Sequence, residues 1–211
     1  MLFNTAQFGI FLVFVLGVYW ALARYQTLRL GFLLLASYYF YGCWKPVYLL
    51  LIVGVTAVDY LGALLLCKVR GPAARKGVVA LVVMANLTVL GYWKYTHFIL
   101  ETLRPWFGDY TGYPQGRLSI VLPVGISFFA FQGLSYVVDV YRRDILVERS
   151  VFRFALYIAF FPQLVAGPII RAKDLLFQFD QRVSLSSEQV GVGFYLILSG
   201  LLKKALLADY L

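Results

Sequence analysis

Apolar residues gather into seven stretches, roughly Ala6 to Ala23, Leu28 to Trp44, Val47 to Cys67, Gly77 to Trp93, Leu118 to Val140, Phe152 to Ile170 and Gln189 to Leu207. Each is near the ~20 residues that a helix needs to cross a bilayer. The pattern predicts an all-α, polytopic integral membrane protein with about six or seven membrane helices, folded as one membrane domain over residues 1–211.

The polar connections carry a second signal. RYQTLR (24–29), KVRGPAARK (68–76) and YRRDILVERS (141–150) hold two, four and three basic residues. They alternate with WKP (44–46) and the long 94–117 segment, which bring only Lys45, Lys94, Arg104 and Arg117. Short loops rich in Lys and Arg stay cytoplasmic, which places the amino terminus outside. Ala21-Leu22-Ala23 after the first apolar run looks like a cleavage site. No basic residue precedes that run and Arg24 follows it directly, so it reads as a first membrane helix.

The sixth stretch breaks the pattern. FPQLVAGPIIR (161–171) sets Pro162 and Pro168 six residues apart, the second behind Gly167. Proline removes a backbone donor and clashes with the carbonyl four residues back. A plain crossing would also carry Arg171, Lys173 and Arg182 outward, against the charge bias. Two forms meet the sequence: a broken or re-entrant segment that returns its basic tail to the cytoplasm, or a proline-kinked spanning helix. Irregular backbone at membrane depth survives only where protein or a water-filled cavity supplies partners, so the first form would help wall a cavity.

Composition narrows the function. Hydrophobic residues make up 62% of the 211, charged residues 14%, and mean hydropathy is +0.79, which leaves no room for a separate soluble domain. A net charge of +9 would suggest nucleic acid in a soluble protein, but here the basic residues sit in short loops and set orientation. Cys43 and Cys67 belong to no metal-binding spacing and read as small apolar residues at the ends of apolar runs.

Few residues can carry chemistry. Asp59 lies mid-way along the third apolar stretch, where an ionised side chain costs about 2.5–3.5 kcal/mol on insertion scales unless it meets a partner or water. It is either a functional carboxylate or a protonated, hydrogen-bonded lock between two helices. Asp139, followed by Arg142 and Arg143 at i+3 and i+4, suggests an interfacial ion pair. Arg171 and Lys173, beside Asp174, could receive a phosphate or the acidic part of a cytoplasmic donor, or anchor to anionic lipid. Gln163 and Pro168 belong to the proline-broken segment. Asp59, Asp139, Arg142, Gln163, Pro168, Arg171 and Lys173 are thus the candidates for substrate binding or for lining a cavity. His97, the one histidine, sits among interfacial aromatics in GYWKYTHF (91–98). Ser127 and Ser135 find no His and Asp to form a nucleophilic constellation, so no catalytic residue and no metal site is assigned.

Four stretches together resemble the membrane-bound O-acyltransferase family, in particular its bacterial branch with the alginate O-acetyltransferase and the D-alanyl-transfer protein of teichoic acid modification. They are GYWKYTHF (91–98), LPVGISFFAFQGLSYVVDVYRRD (122–144), FPQLVAGPIIRAKDLLFQF (161–179) and GLLKKALLADYL (200–211). The resemblance implies a bundle around a thin core with funnels from both faces, in a bacterial inner membrane. It implies transfer of an acyl group, acetyl, from a cytoplasmic thioester such as acetyl-CoA to hydroxyls of an exported polysaccharide, with no bound cofactor. The implied partners are the bilayer, that acceptor and periplasmic or extracellular acetylation proteins. The family's histidine motif, a Trp-His pair in a later membrane helix, would lie beyond Leu211 and His97 does not occupy it. The sequence therefore resembles the family's amino-terminal portion, and the chain alone is expected to be inactive. Two readings from other classes remain: a polytopic transporter or conduit with Asp59 as coupling carboxylate, and a membrane scaffold that recruits partners.

Overall fold

The computed structural model describes residues 5–96, 98, 99, 102, 122–164, 167–181, 186–204 and 206, and among them it is all-helical, with no strand. The helices are α1 (Ala6–Ala21), α2 (Gln26–Gly42), α3 (Tyr48–Lys68), α4 (Pro72–Leu90), α5 (Ile126–Arg142), α6 (Val151–Ala159), α7 (Phe161–Leu164), α8 (Ala172–Asp180) and α9 (Ser187–Lys203). Two are long and apolar enough to cross a membrane: Tyr48–Lys68, and Pro72–Tyr95 with the π-helical turn that prolongs α4. Ala6–Ala21 is a shorter apolar helix. The first residues of the fifth apolar stretch, most of the 94–117 connection and His97 lie outside the described residues.

The chain forms two compact units, Met1–Arg29 with Asp180–Leu211, and Leu30–Phe179. In the first unit, Thr5 caps α1 by accepting from the Phe8 amide at 3.3 Å. Ser186 and Gln189 close a reciprocal capping box at the start of α9. Arg29 is buried, stacks over the Tyr19 ring at 5.2 Å and donates to the Gln181 carbonyl at 3.2 Å. The outward side chains of α1 and α9, such as Ile10, Phe14, Phe194 and Leu202, are apolar. A helix with that exterior has lipid or protein as its natural solvent.

The second unit is built on α3. The pairs Asp59–Asn86 and Gly62–Val82 run in opposite order, so α4 lies antiparallel to α3. Asp59 against Gly133 and Arg75 bonded to both Leu66 and Tyr141 set α5 parallel to α3. Ring pairs Tyr136–Phe154 (4.6 Å) and Tyr136–Tyr157 (6.3 Å) pack α6 on α5.

One basic side chain ties three helices at one end of this unit. From the first turn of α4, Arg75 donates to the Leu66 carbonyl (2.6 Å) in the last turn of α3 and to the Tyr141 carbonyl (2.8 Å) in the last turn of α5, over the Tyr141 ring. Helix ends leave carbonyls without intrahelical donors, and a cation there also meets the negative end of the dipole. Arg75→Ala is expected to cost about 1.5–3 kcal/mol, read as a lower melting temperature in detergent. Lys76→Ala, its neighbour, should change the melting temperature little.

Candidate functional site

The proline-broken segment is not one helix. α6 stops at Ala159, where Phe160 takes φ −55° and ψ 109°. A four-residue turn, α7, carries Pro162, and residues 167–171 are non-helical. The chain doubles back. Leu164 reaches the Gly125 backbone at the start of α5, Ile170 has returned to the Tyr157 hydroxyl, and the Leu176 carbonyl receives Arg153 from the first turn of α6. The segment is thus broken and folds back on itself, and a single proline-kinked helix does not describe it.

The break frees backbone groups, and buried polar side chains take them up. In an unbroken helix the Phe161 N–H would donate to the Tyr157 carbonyl; here it donates to Ser37 Oγ at 3.3 Å. The Tyr157 carbonyl receives two amides instead, Gln132 Nε2 from α5 at 2.7 Å and Gln163 Nε2 at 2.9 Å. The Tyr157 hydroxyl donates to the Ile170 carbonyl at 3.1 Å and fastens the returning strand of chain to α6. Pro162 could not have closed the next helical bond in any case, since it has no N–H for Ile158. Ser37, Gln132, Tyr157 and Gln163 are all buried, so each exchange happens away from water, where an unpaired group is costly.

Two glycines permit the approach. Gly125 has φ +77°, and a Cβ there would lie 2.3 Å from the Leu164 carbonyl oxygen. Gly167 backs onto Gln163, whose Cα would lie 2.4 Å from an added Cβ. A side chain at Gly125 would push α7 away from the start of α5, and one at Gly167 would push the returning chain off α7.

A second polar cluster lies within the α3–α4–α5 contact. Asp59 is fully buried, and its Oδ1 accepts from Asn86 Nδ2 at 2.7 Å, an amide that also donates to the Val82 carbonyl at 3.1 Å. Asp59 Oδ2 and Asn86 Oδ1 find no donor among the described residues. Gly133 of α5 lies directly against Oδ2. The arrangement joins α3 to α4 through one buried side-chain hydrogen bond. Asn86, but not Asp59, also walls an apolar groove of about 250 Å³ between α3 and α4 with Leu50, Gly54 and Val89.

The candidates divide by burial. Asp59, Asp139 and Gln163 are buried, whereas Arg142, Pro168, Arg171 and Lys173 are exposed. Asp139 is buried in the last turn of α5. It makes no ion pair with Arg142 or Arg143 among the described residues: Arg142, still helical, is exposed, and Arg143 lies past the end of α5, which removes the i+4 pair. Arg143 is left-handed at φ 66°, its amide bonds to Val140 and the Asp144 amide to Asp139, which closes a Schellman cap. Gln132, Tyr157, Ser37, Arg75 and Gly133 were not singled out by the sequence, in which each looks like an ordinary residue of an apolar helix or a basic loop.

With this geometry in hand, comparison with known proteins places the chain. It is 38% identical to the "Probable alginate O-acetylase" of Pseudomonas aeruginosa, over 100% of this chain and 40% of that protein. It is 37% identical to the protein of the same name from Azotobacter vinelandii, over 100% of this chain and 42% of that one. With the peptidoglycan O-acetyltransferase of Helicobacter pylori the identity is 30%, over 99% of this chain and 45% of the relative. The chain thus spans less than half the length of these relatives. Neither a protein-family profile nor a solved structure matches it. The chain is a homologue of these O-acetylases along essentially its whole length, which bears out the resemblance drawn from its motifs.

Proposed function

We propose that this chain is part of a membrane O-acyltransferase that moves an acetyl group from a cytoplasmic thioester, acetyl-CoA or a like donor, to hydroxyls of an exported polysaccharide. The observation that carries the reading is its 38% identity along the full chain to an alginate O-acetylase. In this reading the bundle of six or seven membrane helices lies in a bacterial inner membrane, amino terminus outside, with the Arg75 end of the second unit facing the cytoplasm. The re-entrant turn then walls the path between donor and acceptor, and Arg171 and Lys173 stand on its returning arm.

The chemistry sets what such a path must provide. The acceptor oxygen attacks the thioester carbonyl, an ester C–O bond forms, the C–S bond breaks, and the hydroxyl proton leaves to a base while the thiolate departs. Positioned proton transfer contributes about 10²–10⁴-fold. The proposal gives that base to none of the residues of this chain, whose part is to shape and seal the path. Purified chain with labelled acetyl donor and an oligosaccharide acceptor is expected to transfer no label, whereas a longer protein that joins this chain to a Trp-His membrane helix should. Transfer by the chain alone would overturn the placement of the base. The conduit reading needs Asp59 to face a path for ions, and Asn86 and Gly133 enclose it instead.

A further inference from the structure

At the end of the second unit opposite Arg75, the chain assembles a linked set of aromatic rings. The Trp44 and Tyr48 centroids are 5.3 Å apart, Tyr48 meets Trp93 edge-on at 5.4 Å, and Trp93 meets Tyr92 edge-on at 5.3 Å. Lys45 stands over the Tyr48 ring at 5.9 Å, and Lys94, in the same helical turn as Trp93, stands over the Tyr95 ring at 5.6 Å. Trp44 and Tyr92 remain 38% and 58% exposed, so ring surface is left for a ligand.

The backbone beneath these rings is unusual. Gly91–Tyr95 forms a π-helical turn at the end of α4, a form that is rare and found mostly as single turns at functional sites. The extra residue rotates Trp93 relative to the α-helical register. Thr96 Oγ secures the altered turn by donating to the Tyr92 carbonyl at 2.6 Å. Aromatic residues that merely float at a membrane interface need neither the register change nor ring-to-ring contact.

Charge adds a preference. From Met1 to Val58 and from Tyr60 to Leu100 the sequence has no acidic residue, so neither segment that builds the cluster supplies a counter-ion for Lys45 or Lys94. We infer that Trp44, Tyr92 and Trp93, seated on the buried Tyr48, form a platform for a pyranose ring of an acidic polysaccharide, with Lys45 and Lys94 drawing its carboxylates. Axial C–H groups of a sugar carry partial positive charge and fit the negative face of an aromatic ring. This rests on the proposed function, whose orientation puts the cluster on the outer face and whose acceptor it would hold.

The test uses the full-length protein in lipid nanodiscs, with an oligomannuronate hexamer as acidic probe and maltohexaose as neutral probe. Trp93→Ala should weaken the acidic probe about tenfold, while Trp93→Phe, which keeps a ring and guards against misfolding, should stay within about threefold. The Lys45→Gln/Lys94→Gln pair should remove the preference for the acidic over the neutral probe, an effect that salt reproduces in the wild type. If the wild type does not bind the acidic probe, or if Trp44→Ala and Trp93→Ala both bind it unchanged, the platform is wrong. Binding that depends on Trp93 in a protein that transfers no acetyl group would overturn the proposed function and keep the platform. Acetyl transfer with KM for the polysaccharide unmoved by Trp93→Ala would do the reverse.

Discussion

Gly133→Ala should lower the yield of folded protein in detergent about tenfold, and adding Asp59→Ala should recover most of it. An alanine Cβ at Gly133 would lie 1.8 Å from Asp59 Oδ2 and 2.7 Å from its Cγ. Neither side can yield easily. Asp59 is held by the Asn86 amide, and α5 is pinned at its far end by Arg75. Forcing a methyl group into packing this tight costs about 1–3 kcal/mol, occasionally more. Removing the carboxylate makes the space; the Asn86 amide loses one acceptor and keeps its bond to the Val82 carbonyl, so recovery is large but not complete. Gly54→Ala, on the helix that carries Asp59, is the control, since nothing lies within 4 Å of a Cβ there. A Gly133→Ala protein as stable as the wild type would show that α5 does not close on Asp59 as described.

That pairing also marks how far the sequence could be read. Asp59 stood out because a carboxylate in a long apolar run demands a partner, and the demand is local. The partner is not local: Asn86 and Gly133 sit 27 and 74 residues on, and neither residue type announces which helix it will face. The helical class and the break at Pro162 were legible for the same reason, because hydropathy period and a missing N–H act within one or two turns. The i+4 ion pair expected from Asp139 is lost because that spacing assumes a continuing helix and Arg143 turns left-handed, while Arg142 at i+3 is helical but exposed and does not close on the buried Asp139. Arg75 looked like one more orienting charge in a basic loop. Its role as a clamp depends on α3 and α5 ending at one level, a fact of tertiary packing.

The proline-broken turn poses the harder physical question, how a non-helical backbone is kept within an apolar interior, and a double-mutant cycle answers it. Gln132→Leu and Gln163→Leu should each destabilise the protein by about 1 kcal/mol, because the Tyr157 carbonyl loses one of two donors and keeps the other. The double variant should cost more than the sum, by about 1–3 kcal/mol, because the same carbonyl is then buried with no donor at all. Leucine keeps the bulk, which separates the lost hydrogen bonds from a cavity effect. The excess should also appear at the far side of the reversal as faster proteolysis or cysteine labelling of residues 167–171, the arm fastened to α6 through the Tyr157 hydroxyl. Strict additivity would mean that the two glutamines act independently. The return of the chain from Leu164 to Ile170 would then have to be held by packing alone.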